Sequence, residues 1–417
     1  MSVGHAEGDL VGDRYRLEAF LGEGGISKAW LGKDERTGRP AVIKHPNYDS
    51  ENAAGIVRES IEREAEIMEA IDDAGGHPNL MGFVELTTTQ GQPALVVEYV
   101  DGENLYSDVK RRNGFTNAED VRQVGIALCS AMSFLHENEI MYRDLKPDNV
   151  MLRPDMTPVL IDFNTAKGFV PETPGASDPG GSGTVIPNPT YKPPELNNDP
   201  ELVGYRQGPW SDVYSIGKVL LFMFAAGAPR GDAVDPRELP GTRSVPSYLA
   251  ESIERATMPH KDDRYRNATV LERVLQRESA EPPAVASITH LQAGATYDVY
   301  PGDTIGRATS DGPSPSISIE DPDNYISAVQ IQFDADGSDW LLRDHSLNGT
   351  WVQRGDTWQQ VLSETGRERR SERTDDPAEV ADLEELPEEI ALRDGDRIAL
   401  VHPSYDVWLE FDAEGDG

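Results

Sequence analysis

The stretch Met141–Leu152, Met-Tyr-Arg-Asp-Leu-Lys-Pro-Asp-Asn-Val-Met-Leu, narrows the possible folds further than any other part of the chain. Apolar residues flank it on both sides, with Asp144, Lys146 and Asn149 set between them. A carboxylate, an ammonium two residues later and an amide three further on are the parts that phosphoryl transfer needs. Asp144 would orient an incoming hydroxyl and accept its proton. Lys146 would neutralise charge on the transferring group, and the Asn149 amide oxygen would help to hold Mg²⁺.

The chain has 417 residues, enough for two or three domains. Its 74 acidic and 38 basic side chains leave a formal net charge of −36. Such a balance argues against nucleic acid or an anionic membrane as a partner. It reads as the solvated surface of a halophilic, archaeal protein; an acidic docking face for basic substrates is the other reading. The single cysteine, Cys129, excludes an intrachain disulfide and points to a reducing cytoplasm. Val121, Val124, Gly125, Leu128, Met132 and Leu135 surround it at helical spacing, which makes it a packing residue. No apolar run reaches about 18 residues, and the N-terminus has no signal-peptide core. The most apolar segment, Val213–Ala226, contains Lys218 and reads as a buried core helix.

Met1–Gly12 reads as a loose polar tail. Tyr15–Leu31 reads as strand, glycine turn and strand, with Gly22-Glu23-Gly24-Gly25-Ile26-Ser27 at the turn. Glycines let backbone N–H groups close over phosphates. Downstream, Ala41-Val42-Ile43 is an apolar strand ending in Lys44. A helix is predicted over residues 55–72, with Ile61, Ala65 and Met68 on one face. Glu64 lies on that same stripe, whereas Glu62, Glu66 and Glu69 point away. A carboxylate at a buried edge needs a partner, and Lys44 is the candidate. His77 has no second metal-type residue at ligand spacing and reads as structural. Thr116-Asn117-Ala118-Glu119 is a capping-box pattern opening a long helix that ends near His136. Pro158–Ile161 is a short strand running into Asp162-Phe163-Asn164, and Thr165–Pro193 is rich in Gly, Pro, Ser and Thr.

These landmarks, in this order and spacing, resemble eukaryotic-type protein kinases from about Tyr15 to about Glu278. Lys146 fits the serine/threonine branch. The resemblance implies ATP and Mg²⁺, with Mn²⁺ as an alternative ion, and protein serine or threonine hydroxyls as acceptors. It implies an ATP site of Leu21, Gly22, Glu23, Gly24, Gly25, Ile26, Ser27, Ala29 and Lys44, with Val97, Glu98 and Val100 along the adenine-binding hinge. Lys44 would pair with Glu64, Asn149 and Asp162 would hold the metal, and Asp144 and Lys146 would serve the transfer. Thr165–Pro193 would be the activation segment, with Thr173, Ser177, Ser182, Thr184 and Thr190 as phosphoacceptors and Arg143 as their partner. Pro193-Pro194-Glu195 stands where the family has Ala-Pro-Glu. Arg264 would pair with Glu195, and Asp212 would anchor the catalytic-loop backbone. The chain departs from the family at Tyr142 (histidine), Ser27 (the third glycine) and Asn164 (the glycine after phenylalanine).

Beyond a linker at Glu281-Pro282-Pro283 the pattern changes to short alternating runs: Tyr297–Val299, Ser316–Ile319, Ile326–Phe333, Trp340–Leu342, Arg397–Val401 and Val407–Phe411. Asp334-Ala335-Asp336-Gly337 looks like a hairpin connection. This is the pattern of an antiparallel β-sandwich. Gly306-Arg307, Ser327 and Ser346-Leu347-Asn348-Gly349-Thr350 resemble a forkhead-associated (FHA) domain, together with Leu392–Asp396. The resemblance implies a phosphothreonine site of Arg307, Ser327 and Asn348, serving a partner protein or the chain's own activation segment. Ala328 and Gln330 depart from that family, which has arginine and histidine there.

The expected fold is therefore α+β: a tail (1–13), a bilobal kinase domain (14–278, small lobe to about 100), a linker (279–290) and an FHA-like sandwich (291–415). A charged run over 354–389 reads as a solvated insertion with a short helix near Pro377–Leu386. The expected function is an ATP-dependent serine/threonine protein kinase carrying a phosphothreonine reader. The alternative is a pseudokinase scaffold that acts through phosphopeptide binding.

Overall fold

The computed structural model describes residues 5–413 except 51, 53, 139, 169–189, 197–207, 228–229, 240–244, 283–285, 309–314, 322, 337–338, 372 and 374–376. Its first part is a small lobe on a six-stranded antiparallel sheet. In spatial order the strands are Leu10–Val11, Tyr15–Glu23, Ser27–Asp34, Pro40–Pro46, Gln92–Glu98 and Phe83–Thr89. The expected tail thus supplies an edge strand: Val11 pairs with Tyr15 and is fully buried. Helix Ala54–Asp73 packs on this sheet through Val57, Ile61, Ala65, Met68 and Ile71, and Glu64 is buried with them.

The large lobe is helical, with Leu105–Arg112, Ala118–Glu137, Pro209–Ala225, Ser247–Ala256 and Ala268–Arg277 around one core. Helix Ala118–Glu137 begins one residue later than the capping-box pattern suggests. Asn117 Oδ1 accepts from Glu119 N, while the Glu119 carboxylate turns to Arg122 and Gln123. Cys129 is fully buried there, and burial pushes its thiol pKa up. Pro209–Ala225 is buried over most of its length, and Lys218 escapes isolation by donating to the Gly231 carbonyl at 2.7 Å. His77 is structural: it meets Ser130 Oγ and accepts from Asn79 N.

The C-terminal part is a sandwich of two sheets with its own core, in which Ile288, Ile305, Ile331, Phe333, Leu342, Val352, Ile398, Leu409 and Phe411 meet. One sheet runs Ala295–Val299, Ala286–His290, Trp408–Asp412, Arg397–Ala399, Thr350–Arg354 and Thr357–Val361. The other runs Ile317–Ile319, Thr304–Arg307, Ile331–Asp336, Asp339–Asp344 and Glu389–Leu392. Pairing is antiparallel except between Thr304–Arg307 and Ile317–Ile319.

Four expectations change here. Ala286–His290 lies in the expected linker yet pairs with two strands. Residues 326–330 are not strand; Ala328 and Val329 are apolar because they are buried in a loop. Asp334–Asp336 belong to a strand paired with Asp339–Asp344, not to a turn, and Gly337 lies outside the described residues. Residues 350–361 form a hairpin, so the insertion starts after Val361 and holds helices Glu364–Ser371 and Pro377–Glu384.

The two parts touch through polar and apolar contacts. Arg266 Nη1 donates to Asp303 Oδ2 at 2.9 Å, and Asn267 Nδ2 donates to Asp303 Oδ1 at 3.0 Å. Arg273 Nη2 donates to the Ala335 carbonyl, and Met141 packs on Val329.

Candidate active site

Strand Pro40–Pro46 and helix Ala54–Asp73 bring Lys44 and Glu64 together: Nζ to Oε1 is 2.6 Å, with both side chains buried. Asp162 Oδ1 stands 3.9 Å from the same Nζ. Burial alone would lower the Lys44 pKa; attraction to Glu64 and Asp162 outweighs it and holds the ammonium charged. Glu64 Oε1 also accepts from Phe163 N at 3.2 Å, which ties the helix to the Asp162-Phe163-Asn164 turn.

Below this, Lys146 Nζ donates to Asp144 Oδ2 at 2.5 Å. Asn149 Nδ2 donates to the Asp144 carbonyl at 2.9 Å and to Oδ2 at 3.1 Å. Ile161 N donates to the Asn149 carbonyl, which sets the residue before Asp162 beside the loop. The oxygens of Asn149 and Asp162 are hard donors of the kind that Mg²⁺ takes, so these residues fit that ion.

Asp212, fully buried, accepts from Tyr142 N at 3.2 Å, Arg143 N at 3.0 Å and His136 Nε2 at 2.9 Å. Two backbone donors and one ring are thus fixed by a single carboxylate. Arg143 and Asp162 both adopt left-handed backbone, φ 70° and 74°. Non-glycine residues there carry strain that the surrounding bonds must hold.

The three departures are each accommodated. The Tyr142 hydroxyl donates to the Ile161 carbonyl at 2.6 Å, and its ring meets Phe163 edge-on. It therefore braces the residue before Asp162. The left-handed backbone in this turn falls on Asp162, not on Asn164, and Asn164 Nδ2 donates to Asp162 Oδ1. At Ser27 the glycine turn is tied: Gly24 N donates to the Ser27 carbonyl, Asn47 Nδ2 to the Gly24 carbonyl and Asn52 Nδ2 to the Gly25 carbonyl. No sequence pattern marked Asn47 or Asn52, because each acts on backbone more than twenty residues away.

The other ATP-site candidates surround this centre. Ala29 pairs with both Gly22 and Lys44, and Leu21 is half exposed beside them. Val97 and Val100 are buried at the end of the adjoining strand. Glu98 does more than offer backbone: its carboxylate accepts from Gly82 N and from Arg153 Nη2, joining the two lobes. Deeper in the large lobe, Arg264 forms a bidentate pair with Glu195 at 2.9 and 3.0 Å and donates to three carbonyls. Of the expected phosphoacceptors, Thr173, Ser177, Ser182 and Thr184 lie outside the described residues.

In the sandwich, Arg307 N donates to the Ser327 carbonyl at 2.8 Å, and its Nε to the Ile326 carbonyl at 3.1 Å. Leu347 N donates to Ser327 Oγ, and Asn348 Nδ2 to the Tyr325 carbonyl. The three predicted residues therefore share one loop cluster. Gln330 holds it together. Its Oε1 accepts from Ser327 N, and its Nε2 donates to Gly349 O and Thr350 Oγ1. The departure at 330 leaves no gap, since an amide bridges both loops.

Under the Asn348 loop, buried Asp344 accepts from Ser346, Thr350 and Ser363. Burial pushes its pKa up to about 6. Because the folded value lies above the usual carboxylate value, the folded state binds this proton more tightly. Its contribution to stability then falls as pH rises from about 4 to about 6, by roughly 2–3 kcal/mol. Urea melts of wild type and Asp344→Asn across that window are expected to differ in slope, the wild type losing more with rising pH.

A β-rich lobe and a helical lobe, closing on a charged lysine, a buried glutamate and a strained aspartate, define a phosphotransferase-type fold. The chain belongs to the protein kinase domain family, which it matches over residues 15–279, and residues 304–367 match the FHA domain family. It is similar to serine/threonine-protein kinase PknA of a Nostoc species, 29% identical over 278 residues that cover 64% of this chain and 48% of that protein. It is also similar to serine/threonine-protein kinase PknB of Mycolicibacterium smegmatis, 29% identical over 330 residues, 73% of this chain and 49% of that one. Serine/threonine-protein kinase C of a Synechocystis species is 27% identical over 288 residues. The chain spans about half the length of these relatives.

Proposed function

We propose that the chain is an ATP-dependent serine/threonine protein kinase, transferring the γ-phosphoryl group to protein hydroxyls, with a C-terminal domain that reads phosphothreonine. Two bonded sets, Lys44–Glu64–Asp162 and Asp144–Asn149, joined by the bond from Ile161 N to the Asn149 carbonyl, carry this reading. Lys44 holds ATP phosphates and is aimed by Glu64. Asn149 and Asp162 would hold Mg²⁺, or Mn²⁺, which supplies charge neutralisation between the phosphates when bound. Asp144 orients the acceptor hydroxyl and takes its proton, while Lys146 places positive charge beside the transfer path. Transfer of labelled γ-phosphate to serine and threonine peptides tests it; no transfer above an enzyme-free blank would refute it.

A halophilic, archaeal source, supported by the −36 charge, and a cytoplasmic setting, supported by the single cysteine, belong to this reading. Among the described residues no helix is long and apolar enough to cross a membrane. Salt screens the self-repulsion of such a surface. Activity and melting temperature are therefore expected to rise from dilute buffer to concentrated KCl; a monotonic fall in both would remove the halophilic part.

The phosphothreonine reader serves a partner or the chain's own activation segment. The second option is favoured by one contact. Lys167–Gly168, at the start of that segment, pairs with Ile140–Met141, and Met141 packs on Val329, two residues beyond Ser327. Binding of segment peptides to the full chain is expected to require phosphothreonine, and equal binding of unphosphorylated peptides would exclude self-recruitment.

A further inference from the structure

A bound phosphothreonine brings about −1.5 to −2 of charge into a chain that already carries −36. The loops that form its site are poor in cations. Residues 323–330 and 345–350 contain no lysine or arginine, and Ala328 is apolar and buried. Of the arginines on the adjoining strands, Arg343 pairs with Glu389 and Arg354 with Asp396, whereas Arg307 turns to the Ile326 carbonyl.

The charged insertion is not uniform. Residues 364–373 carry Arg367, Arg369, Arg370 and Arg373 against three glutamates, whereas 374–389 carry no lysine or arginine and eight carboxylates. The basic half is mounted on the peptide loop. Ser363 Oγ donates to the Ser346 carbonyl at 2.6 Å and accepts from Gly366 N at 3.1 Å. A Cβ at Gly366 would lie 2.8 Å from the Ser346 carbonyl oxygen, so helix Glu364–Ser371 approaches that loop as closely as glycine permits. Arg367 is turned aside to pair with Glu388. Arg370 is not: its Nη2 donates to the Asn348 carbonyl at 2.5 Å, and its side chain stays partly exposed. Arg307 N bonds the Ser327 carbonyl, Leu347 N bonds Ser327 Oγ, and Arg370 bonds the carbonyl of Asn348, the residue after Leu347, so Arg370 stands one residue from that cluster. A guanidinium has five N–H donors, and one bond to a carbonyl leaves others for an anion.

We propose that Arg370, delivered by the insertion helix, is a second cation of the phosphothreonine site and sets its phosphate affinity together with Arg307. This rests on the phosphothreonine reading above. It gives the basic half of the insertion a function in ligand recognition.

The test is fluorescence anisotropy on the full chain. The probes are a degenerate phosphothreonine peptide library and its unphosphorylated counterpart, at several KCl concentrations. Glutamine at 370 can still donate to the Asn348 carbonyl but carries no charge. Arg370→Gln is expected to weaken phosphopeptide binding about tenfold and to flatten its salt dependence. Arg370→Lys is expected to retain most of the affinity. If Arg370→Gln binds as wild type does, or if the Gln and Lys variants lose equally, Arg370 is only a loop clamp and the proposal falls. If the wild type does not distinguish the phosphorylated library and Arg307→Ala changes nothing, the phosphothreonine reading itself falls. A loss with Arg307→Ala alone overturns only the role of Arg370.

Discussion

Replacing Asp144 by alanine is expected to cut phosphoryl transfer by about 10²–10⁴-fold, the range for losing a positioned general base. In the proposed reading Asp144 meets the acceptor hydroxyl and not ATP, so the loss should fall on kcat. Lys44, Glu64 and Asp162 do not depend on it for their geometry. Asn149 keeps its bond to the backbone carbonyl at position 144, so the loop has a reason to hold its shape. Lys146 loses its carboxylate partner but is already partly exposed. ATP binding measured by nucleotide fluorescence, and the melting temperature, are accordingly expected to change little. Transfer within twofold of wild type would mean that the signal does not arise in this cleft, and it would remove the enzyme reading in favour of the pseudokinase scaffold.

Arg264→Ala is expected to cost about 3–5 kcal/mol, the loss typical of removing one partner from a buried ion pair. The Arg264 side chain is 0% exposed and that of Glu195 2%. Among the described residues, truncation leaves the Glu195 carboxylate buried with the Ser211 hydroxyl as its remaining bond, and it also strips the carbonyls of Trp210, Met258 and Pro259 of a donor. For a domain of this size the large-lobe transition should drop by about 10 °C. Calorimetry would read it, and a shift under about 2 °C would contradict the buried-pair account. Lysine at 264 is not expected to rescue, because a single ammonium cannot reproduce the fork that meets both carboxylate oxygens.

The residues of the cleft were legible because each is tied to a local pattern. Glu64 stood on an apolar helical stripe, and Lys44 ended an apolar strand. Asp144 and Asn149 shared one loop. What holds them was not legible, because it acts across the chain and on backbone atoms. The Tyr142 hydroxyl reaches the Ile161 carbonyl, and Asn47 and Asn52 reach the glycine turn. Such bonds leave no periodicity. In the sandwich, Arg354–Val361 passed for solvated insertion because most of its residues are polar or exposed, and only Val361 is a fully buried apolar side chain. Ile326–Gln330 passed for strand because burial, not pleating, made it apolar. Ala286–His290 was obscured by the prolines before it; its pairing with Trp408–Asp412 joins positions more than a hundred residues apart.

Asp303 belongs to the sandwich, yet two of its partners, Arg266 and Asn267, belong to the large lobe, and the carboxylate is sealed from solvent between them. Cutting the chain at the prolines would put that acid into water on one fragment and strand an arginine on the other. Halves prepared separately would each display a face that the intact protein hides, and their solubility and self-association would report on the cut as much as on the protein.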